Sequence, residues 1–182
     1  MTKYLIVSGC SFTTSHYRSS FHPEVHALWP KWPELLADKL DLKLINLGAS
    51  GAGNEYILSS LVDEINKRNV NDIEMVIAAW SRCDRRDYSI NGRWTNDRVD
   101  SRGDLDYHIS RTNRYKQLLE SFCNDKKVSC KQFQMIELYR GDMDTVQGKT
   151  MKTDPENIIS DKDRHPNAKG HQLIMEYVYE NL

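Results

Sequence analysis

The chain has 182 residues, of which 39% are hydrophobic and 28% charged, and its formal net charge at pH 7 is -1. This length suits one domain with a substantial core and is too short for two of ordinary size, so we expect a single domain over residues 1–182. The balanced charge argues against nucleic-acid binding, and the lack of a long apolar run argues against a membrane span or signal peptide, which predicts a cytoplasmic protein.

Apolar runs typical of strands alternate with helical patterns along the chain. The runs at residues 4–8, 42–47 and 75–80 predict strands buried on both faces of a parallel sheet, with a weaker candidate at 128–135. Apolar residues recur at helical spacing over 32–40, 54–68, 112–122 and 167–181. This alternation predicts an α/β domain built as a three-layer α/β/α sandwich around a mostly parallel central sheet.

Two stretches interrupt the alternation and are predicted to be long loops. Residues 13–30 are polar and carry three of the six histidines, and residues 84–106 are dense in Arg, Asp, Asn and Gly. Loops of this length in a compact domain are usually functional or mobile.

Ser11 follows the first predicted strand, in the run Gly-Cys-Ser-Phe-Thr over residues 9–13. In an open parallel sheet, ligands bind outside the carboxyl ends of the strands, where the strand order reverses. Ser11 therefore stands where a nucleophile is useful, although a lone serine after a strand is more often a turn residue.

A glycine-rich turn over residues 46–54 follows the second predicted strand and leads into a helix. Such a turn exposes backbone N–H groups at a helix N-terminus, where a phosphate or a developing oxyanion is stabilised. The spacing of Gly48, Gly51 and Gly53 does not fit the dinucleotide fingerprint, so nucleotide binding is the weaker alternative. The structural alternative is that these glycines only form a tight turn between the strand and the helix.

Residues 161–171 carry His165, with Asp163 two positions earlier, just before the last predicted helix. A carboxylate beside a histidine holds one tautomer and stabilises the imidazolium. The alternatives are structural: Asp163 and Asn167 as helix caps, His165 as a surface residue, and His171 as a packing residue.

Four blocks, in this order along the chain, resemble those of the SGNH/GDSL hydrolase superfamily. They are Gly-Cys-Ser-Phe in place of the GDSL block, Trp-Pro-x-x-Leu-Ala from Trp32, Asn-x-Gly-x-x-Gly from Asn46, and Asp-x-His-Pro-Asn-x-x-Gly-His from Asp163. The ordered set spans nearly the whole chain and is most similar to short members from bacteria and their phages. The resemblance implies a flavodoxin-like fold and a hydrolase that needs neither a metal nor an organic cofactor.

The resemblance also implies roles for the matched residues. Ser11 matches the nucleophile, and Gly51 matches the oxyanion-hole glycine, whose backbone N–H acts together with that of Ser11. His165 matches the general base, and Asp163 is the best candidate to orient it. The family more often has the aspartate three positions before the histidine, where this chain has a lysine, so Asp161 remains an alternative.

The segment after the third predicted strand departs from the family pattern. Where the family has Gly-x-Asn-Asp, with the Asn side chain as an oxyanion donor, residues 79–85 read Ala-Trp-Ser-Arg-Cys-Asp-Arg. Ser81 and Asn54 are the candidate substitutes. Losing one oxyanion donor costs roughly a hundred- to a thousandfold in rate in a well-studied hydrolase, so the chain is either an enzyme with altered geometry or one with impaired catalysis.

The arginines Arg82, Arg85 and Arg86 follow the third predicted strand. In one interpretation, the three side chains simply face solvent as a group. Alternatively, one of them binds a substrate carboxylate or phosphate, and Arg85 is the best candidate for this role.

A metal site is a further hypothesis, because His22 and His26 are four positions apart and His16 is near them in sequence. Pro23 lies between the pair and no Cys or Glu partner is evident, so a lid over Ser11 is favoured and no metal is predicted. The four cysteines lack paired spacing, which argues against a zinc ribbon and favours free thiols.

Two function classes follow from these observations. The first is a serine esterase acting on a small acyl ester, such as an acetylated carbohydrate, through Ser11, His165, Asp163 and an acyl-enzyme. A short domain without a long apolar lid leaves little room for a lipid chain. The second is a binding or structural protein that keeps the fold with catalysis impaired.

Overall fold

Parallel strands joined by helices form the central sheet of the computed structural model, which describes residues 3–25, 27–98, 104–151 and 154–182. The elements, in chain order, are β1 (Tyr4–Gly9), α1 (Trp32–Lys39), β2 (Lys43–Asn46), α2 (Asn54–Asn66), β3 (Ile73–Trp80), β4 (Arg85–Ile90), β5 (Arg93–Arg98), α3 (Leu105–Lys126), β6 (Cys130–Gln134), α4 (Val146–Thr150) and α5 (Ala168–Glu180).

The four-stranded sheet has the order β2-β1-β3-β6, and every pairing in it is parallel. Ile6 of β1 pairs with Ile45 on one side and with Val76 on the other. The chain moves from β1 to β2 in one direction and then crosses back to place β3 on the opposite side of β1. The loops that follow β1, β2 and β3 therefore meet at the carboxyl edge of the sheet, beside this reversal.

Helices cover both faces of the sheet. One face packs against α1 and α5 around Trp32, and the other packs against α2 and α3 around Ile57 and Leu119. The neighbouring β1 residues Ile6 and Val7 face opposite layers and are both fully buried. Burial on both sides explains the continuous apolar runs of these strands. The predicted three-layer sandwich with a mostly parallel sheet is confirmed.

The prediction of one long loop over residues 84–106 is wrong. Strands β4 and β5 form an antiparallel hairpin there, with Tyr88 opposite Thr95, and α3 begins at Leu105 rather than at residue 112. The hairpin turns at Asn91 and Gly92, whose φ values are 52° and 75°, as expected of a two-residue turn that matches the strand twist. The polar residues between 85 and 98 belong to the two strands and their turn, and Asp104 caps α3.

Residues 13–25 and 27–30 form turns and bends without a helix or strand. None of the helices in the described part of the chain is long and apolar enough to cross a membrane. All four cysteines are free thiols.

Trp32 and Trp80 are both fully buried. The indole N–H of Trp80 donates to Gln132 at 3.0 Å, whereas that of Trp32 has no acceptor among the described residues.

Candidate active site

Ser11 lies in a tight turn directly after β1. The backbone N–H groups of Thr13 and Thr14 both donate to the carbonyl of Cys10, at 2.8 and 3.1 Å. The Ser11 side chain is half-buried at the carboxyl edge of the sheet. Because β1 is buried from Leu5 onward, the serine follows a rigid element.

The side chain of Asn46 joins the loop after β1 to the glycine-rich turn after β2. Its amide nitrogen donates to Thr13 O at 2.7 Å and to Ser15 Oγ at 3.0 Å, while its oxygen accepts from Gly48 N–H at 2.9 Å. The two loops are therefore fixed against each other at the end of the molecule where Ser11 lies.

His165 and Asp163 come from the loop before α5. The N–H of Ile159 donates to the carbonyl of His165 at 2.9 Å, which folds the loop back on itself. Asn167 caps α5 by accepting from Gly170 N–H at 3.1 Å. Of the two residues predicted as possible caps, Asn167 is the one that caps α5. The Asp163 side chain instead contacts His165.

The structure brings Ser11, His165 and Asp163 together. His165 Nε2 lies 2.8 Å from Ser11 Oγ, and His165 Nδ1 lies 2.6 Å from Asp163 Oδ1. The backbone N–H of His165 also donates to Asp163 Oδ1, at 3.2 Å. Asp163 is 2% exposed, whereas Asp161 is exposed and lines a separate cavity. Of the two aspartates, Asp163 is the one in contact with the imidazole.

Tyr17 also contacts both His165 and Asp163, and this was not predicted from the sequence. Its hydroxyl donates to Asp163 Oδ2 at 2.8 Å and lies 2.8 Å from His165 Nδ1. Its ring stacks on the imidazole, with the two ring centroids 4.1 Å apart. Tyr17 lies within the polar stretch 13–30, and no local pattern in the sequence links it to a residue so near the other end of the chain.

The surroundings favour a neutral His165 beside a charged Asp163. Burial lowers the pKa of His165; Asp163 opposes this effect, and the positive charge of Arg85 adds to it. Burial by itself raises the pKa of Asp163, but hydrogen bonds from Ser19, His165 and Tyr17 to the carboxylate outweigh it, and the pKa is lowered. A neutral imidazole in contact with a serine hydroxyl can accept its proton.

Two backbone N–H groups are candidates to bind an oxyanion. Gly51 has a left-handed φ of 77°, a conformation that favours glycine. In the described part of the chain, neither the N–H of Gly51 nor that of Ser11 has an acceptor. Both are free to donate to a ligand at the sheet edge.

The two side chains expected to replace the missing asparagine are engaged within the protein. Asn54 donates from its amide to Ser81 O and Thr112 Oγ1, both at 3.1 Å, and accepts from Ser81 N–H at 2.8 Å. Asn54 thus ties the start of α2 to the end of β3, and it is 3% exposed. Ser81 is fully buried, and its Oγ accepts from Arg85.

The three arginines after β3 separate into different environments. Arg82 forms ion pairs with Asp84 and Glu137, and Arg86 is exposed. Arg85 turns inward, and its Nη1 donates to Ala52 O at 2.9 Å and to Ser81 Oγ at 2.7 Å. Arg85 therefore bridges the glycine-rich turn and the end of β3.

Asp87 fixes the hairpin on α2 and was also missed from the sequence. Its buried carboxylate accepts from Gly53 N–H at 2.8 Å and from Tyr56 N–H at 2.9 Å, which satisfies two donors in the first turn of α2. A Cβ on Gly53 would lie 2.6 Å from Asp87 Oδ2, so glycine permits this close approach. The cap comes from a distant strand, and no capping box marks it in the sequence.

The remaining histidines do not form a metal site in the described ranges. His16 is exposed, His22 Nε2 lies 2.7 Å from Ser160 Oγ, and His26 lies outside the described residues. No group of three His, Cys, Asp or Glu residues suited to a metal ion occurs in residues 3–25, 27–98, 104–151 and 154–182. His171 is buried between α5 and α1, where its Nδ1 accepts from Trp32 N–H at 3.3 Å.

The chain is similar to two solved structures over its whole length. The first is the lipase Lip_vut3 from a goat rumen metagenome, with a TM-score of 0.56 and 13% identity over 99% of this chain and 97% of that chain. The second is a protein from Desulfitobacterium hafniense DCB-2 assigned to the G-D-S-L family of lipolytic proteins, with a TM-score of 0.51 and 16% identity over 100% of both chains. A scan against protein-family models and a search of curated proteins give no match. At these identities the likeness shows the fold.

Proposed function

Starting from the SGNH/GDSL hydrolase fold of this chain, we propose that the protein is a serine esterase. Ser11 is the nucleophile, His165 the general base and Asp163 the residue that orients the base. The observation that carries this proposal is the unbroken hydrogen-bonded series from Ser11 Oγ, through both ring nitrogens of His165, to the buried carboxylate of Asp163. This arrangement can make a serine hydroxyl nucleophilic at neutral pH.

The reaction proceeds through a covalent acyl-enzyme. His165 Nε2 takes the hydroxyl proton while Ser11 Oγ bonds to the ester carbonyl carbon, and the carbonyl oxygen becomes an oxyanion held by the N–H groups of Ser11 and Gly51. His165 returns the proton to the alcohol oxygen as the C–O bond breaks, which leaves acyl-Ser11. A water molecule then gives a proton to His165 and adds to the acyl carbon, and Ser11 leaves with its proton restored.

The proposed substrate is a small acyl ester, such as an acetyl ester, of a polar alcohol such as a carbohydrate. Tyr17 stacks on His165 and also borders a cavity of about 820 Å³, where we place the alcohol part of the substrate. Charged side chains border this cavity, among them Arg18, Lys31 and Glu34. Val25, Leu28 and Trp29 border it as well, so the cavity offers both polar and apolar contacts, as the hydroxyl groups and C–H faces of a carbohydrate would need.

A binding or structural protein with this fold is the second candidate. It is favoured by the altered segment after β3, because residues 81–85 contain no asparagine and both Asn54 and Ser81 are engaged in contacts within the protein. Such a protein would keep a pocket at the sheet edge but would not stabilise an oxyanion well enough for turnover.

Reaction with a fluorophosphonate separates the two candidates. The esterase proposal predicts stoichiometric labelling of the wild type, with the mass increase on the peptide that contains Ser11. The Ser11→Ala and His165→Ala variants are expected to stay unlabelled, whereas Ser20→Ala, which alters an exposed serine of the same loop, is expected to label like the wild type. A folded wild type that remains unlabelled would contradict the esterase and favour the binding protein.

A further inference from the structure

The resemblance to the hydrolase superfamily implies a third donor for the oxyanion, and the residue at its usual place is missing. Ser11 and Gly51 supply one backbone N–H each. Asn54 is 3% exposed and Ser81 is fully buried, and their polar atoms already bond within the protein. Neither side chain can touch a substrate in this arrangement.

Arg85 has N–H groups at this edge of the sheet that are not used in contacts with the described residues. Among the described residues, its Nη1 alone has acceptors, which are Ala52 O and Ser81 Oγ. In the described part of the chain, no acceptor takes the hydrogens of Nε or Nη2, and these nitrogens are not among the buried atoms without partners. Ala52 directly follows Gly51, so the guanidinium stands beside the proposed oxyanion glycine with unused N–H groups that solvent or a substrate can reach.

The backbone around Arg85 is fixed by neighbouring side chains. Arg111 Nη2 donates to the carbonyls of Cys83 and Arg85, at 3.0 and 3.1 Å, and Asp87, on the same side of β4, is bonded to the first turn of α2. A donor held in place before the reaction stabilises a developing charge without a cost of reorganisation at that moment.

The charge of Arg85 also reaches the catalytic groups. Its guanidinium is among the causes that lower the pKa of His165, which is consistent with the short path from the glycine-rich turn to Ser11. Because a guanidinium is always protonated in proteins, it can donate to an oxyanion without losing its charge.

We propose that Arg85 is the third oxyanion donor of this site and that its free N–H groups take the place of the absent asparagine side chain. This inference rests on the proposed esterase function. In the tetrahedral intermediate, the negative oxygen is bound by the N–H groups of Ser11 and Gly51 and by the guanidinium, and no proton moves to or from Arg85. The competing role for Arg85 is binding of a carboxylate or phosphate on the substrate itself.

The test is steady-state hydrolysis of p-nitrophenyl acetate, a neutral ester with no anionic group in the ground state. Loss of one oxyanion donor lowers kcat about a hundred- to a thousandfold in a known case, so Arg85→Gln is expected to lower kcat by this order with KM changed less than about threefold. Arg86→Gln, on the neighbouring exposed arginine, is expected to keep both constants. Thermal unfolding is measured for each variant to exclude loss of fold.

Arg85→Lys keeps the positive charge but lacks the fork that can hold Ala52, Ser81 and an oxyanion together. It is expected to lose kcat in the same direction, and it decides the question if Arg85→Gln does not fold. An active wild type whose folded Arg85 variants keep kcat, or raise KM alone, would overturn the donor role while leaving the esterase intact. A wild type that neither hydrolyses esters nor labels at Ser11 would overturn the esterase and this inference together.

Discussion

His165 can act as a base only while its imidazole is neutral. The groups facing it are Ser11, Asp163, Tyr17, Arg85 of β4 and, more distantly, His171 of α5. Burial is the largest cause that moves its pKa below 6.5. We therefore expect activity to be full above this lowered pKa and to fall as the pH drops through it, which puts the midpoint of the acid limb of kcat/KM below pH 6.5.

The Tyr17→Phe variant tests how the hydroxyl contributes to this site. Removing its hydrogen bond to Asp163 leaves the carboxylate charge less compensated, which stabilises the imidazolium and raises the pKa of His165. We expect the acid limb to move to higher pH and kcat to fall about tenfold, in keeping with the loss of one hydrogen bond to a charged group. A pH profile of kcat/KM checks this, with Tyr88→Phe on the exposed hairpin as the control. An unmoved limb would assign Tyr17 a packing role alone.

At the scale of the loops, Gly51→Ala separates backbone strain from catalysis. Gly51 and Gly92 have nearly equal left-handed φ values, 77° and 75°, so alanine at either site costs about 1–2 kcal/mol of stability. We expect both variants to lose similar stability in urea unfolding, whereas only Gly51→Ala loses esterase activity, by more than about tenfold. Equal activity in the two variants would remove Gly51 from the oxyanion site.

The Asp87→Asn variant tests the attachment of the hairpin to α2. An amide cannot accept from both Gly53 and Tyr56 as the carboxylate does, so the free energy of unfolding is expected to fall by about 1–2 kcal/mol. Activity is expected to fall as well, because Asp87 keeps Arg85 and the glycine-rich turn in register. Denaturant unfolding and hydrolysis rates check both effects, with Asp97→Asn on the exposed part of β5 as the control. Full activity in a destabilised Asp87→Asn variant would show that the hairpin does not position the site.

The core elements and the residues that meet at the candidate site could be predicted from the sequence because their signals are local. The strands show as continuous apolar runs, and Ser11 and His165 stand in short blocks with defined spacing. Tyr17 and Asp87 could not be found this way, since each acts on residues that only the fold brings near. The hairpin is a different case: Asn91-Gly92 is a strong turn signal, but the charged residues around it made the segment look like a loop.

At the scale of the molecule, the strand order explains how distant segments of the chain reach the same edge of the sheet. Ser11 follows β1, Gly51 follows β2 and Arg85 follows β3, while His165 comes from the loop before the last helix. The reversal of strand order at β1 places these loops on one edge. The packing of α5 on α1 then holds the His165 loop in place, and His171 lies in that contact.

The buried His171 makes this packing sensitive to acid. Its pKa is lowered to about 3, first by burial and then by the positive charges of Lys31 and His165. Between about pH 3 and pH 6.5, the unfolded state binds more protons at His171 than the folded state does. The contribution of the neutral His171 to the free energy of unfolding is therefore fully present above pH 6.5 and is lost as the pH falls toward 3. From pH 7 to pH 4 we expect a loss of at most about 3 kcal/mol from this group.

Urea unfolding of the wild type and of His171→Gln at both pH values checks this expectation. The variant is expected to lose less stability on acidification, whatever its stability at pH 7, because it has no imidazole to protonate. His16→Gln, which alters an exposed histidine, serves as the control and is expected to follow the wild type. An equal pH dependence in His171→Gln would place the acid sensitivity elsewhere.

Rapid-quench mass spectrometry of the intact protein tests whether Ser11 forms an acyl-enzyme with the help of His165. After mixing with p-nitrophenyl acetate and quenching in acid, the wild type is expected to carry one added acetyl group, mapped to Ser11 by peptide digestion. The His165→Ala variant is expected to acquire it far more slowly. Turnover without a covalent acetyl group on Ser11, or acetylation of another residue at the catalytic rate, would rule out Ser11 as the nucleophile.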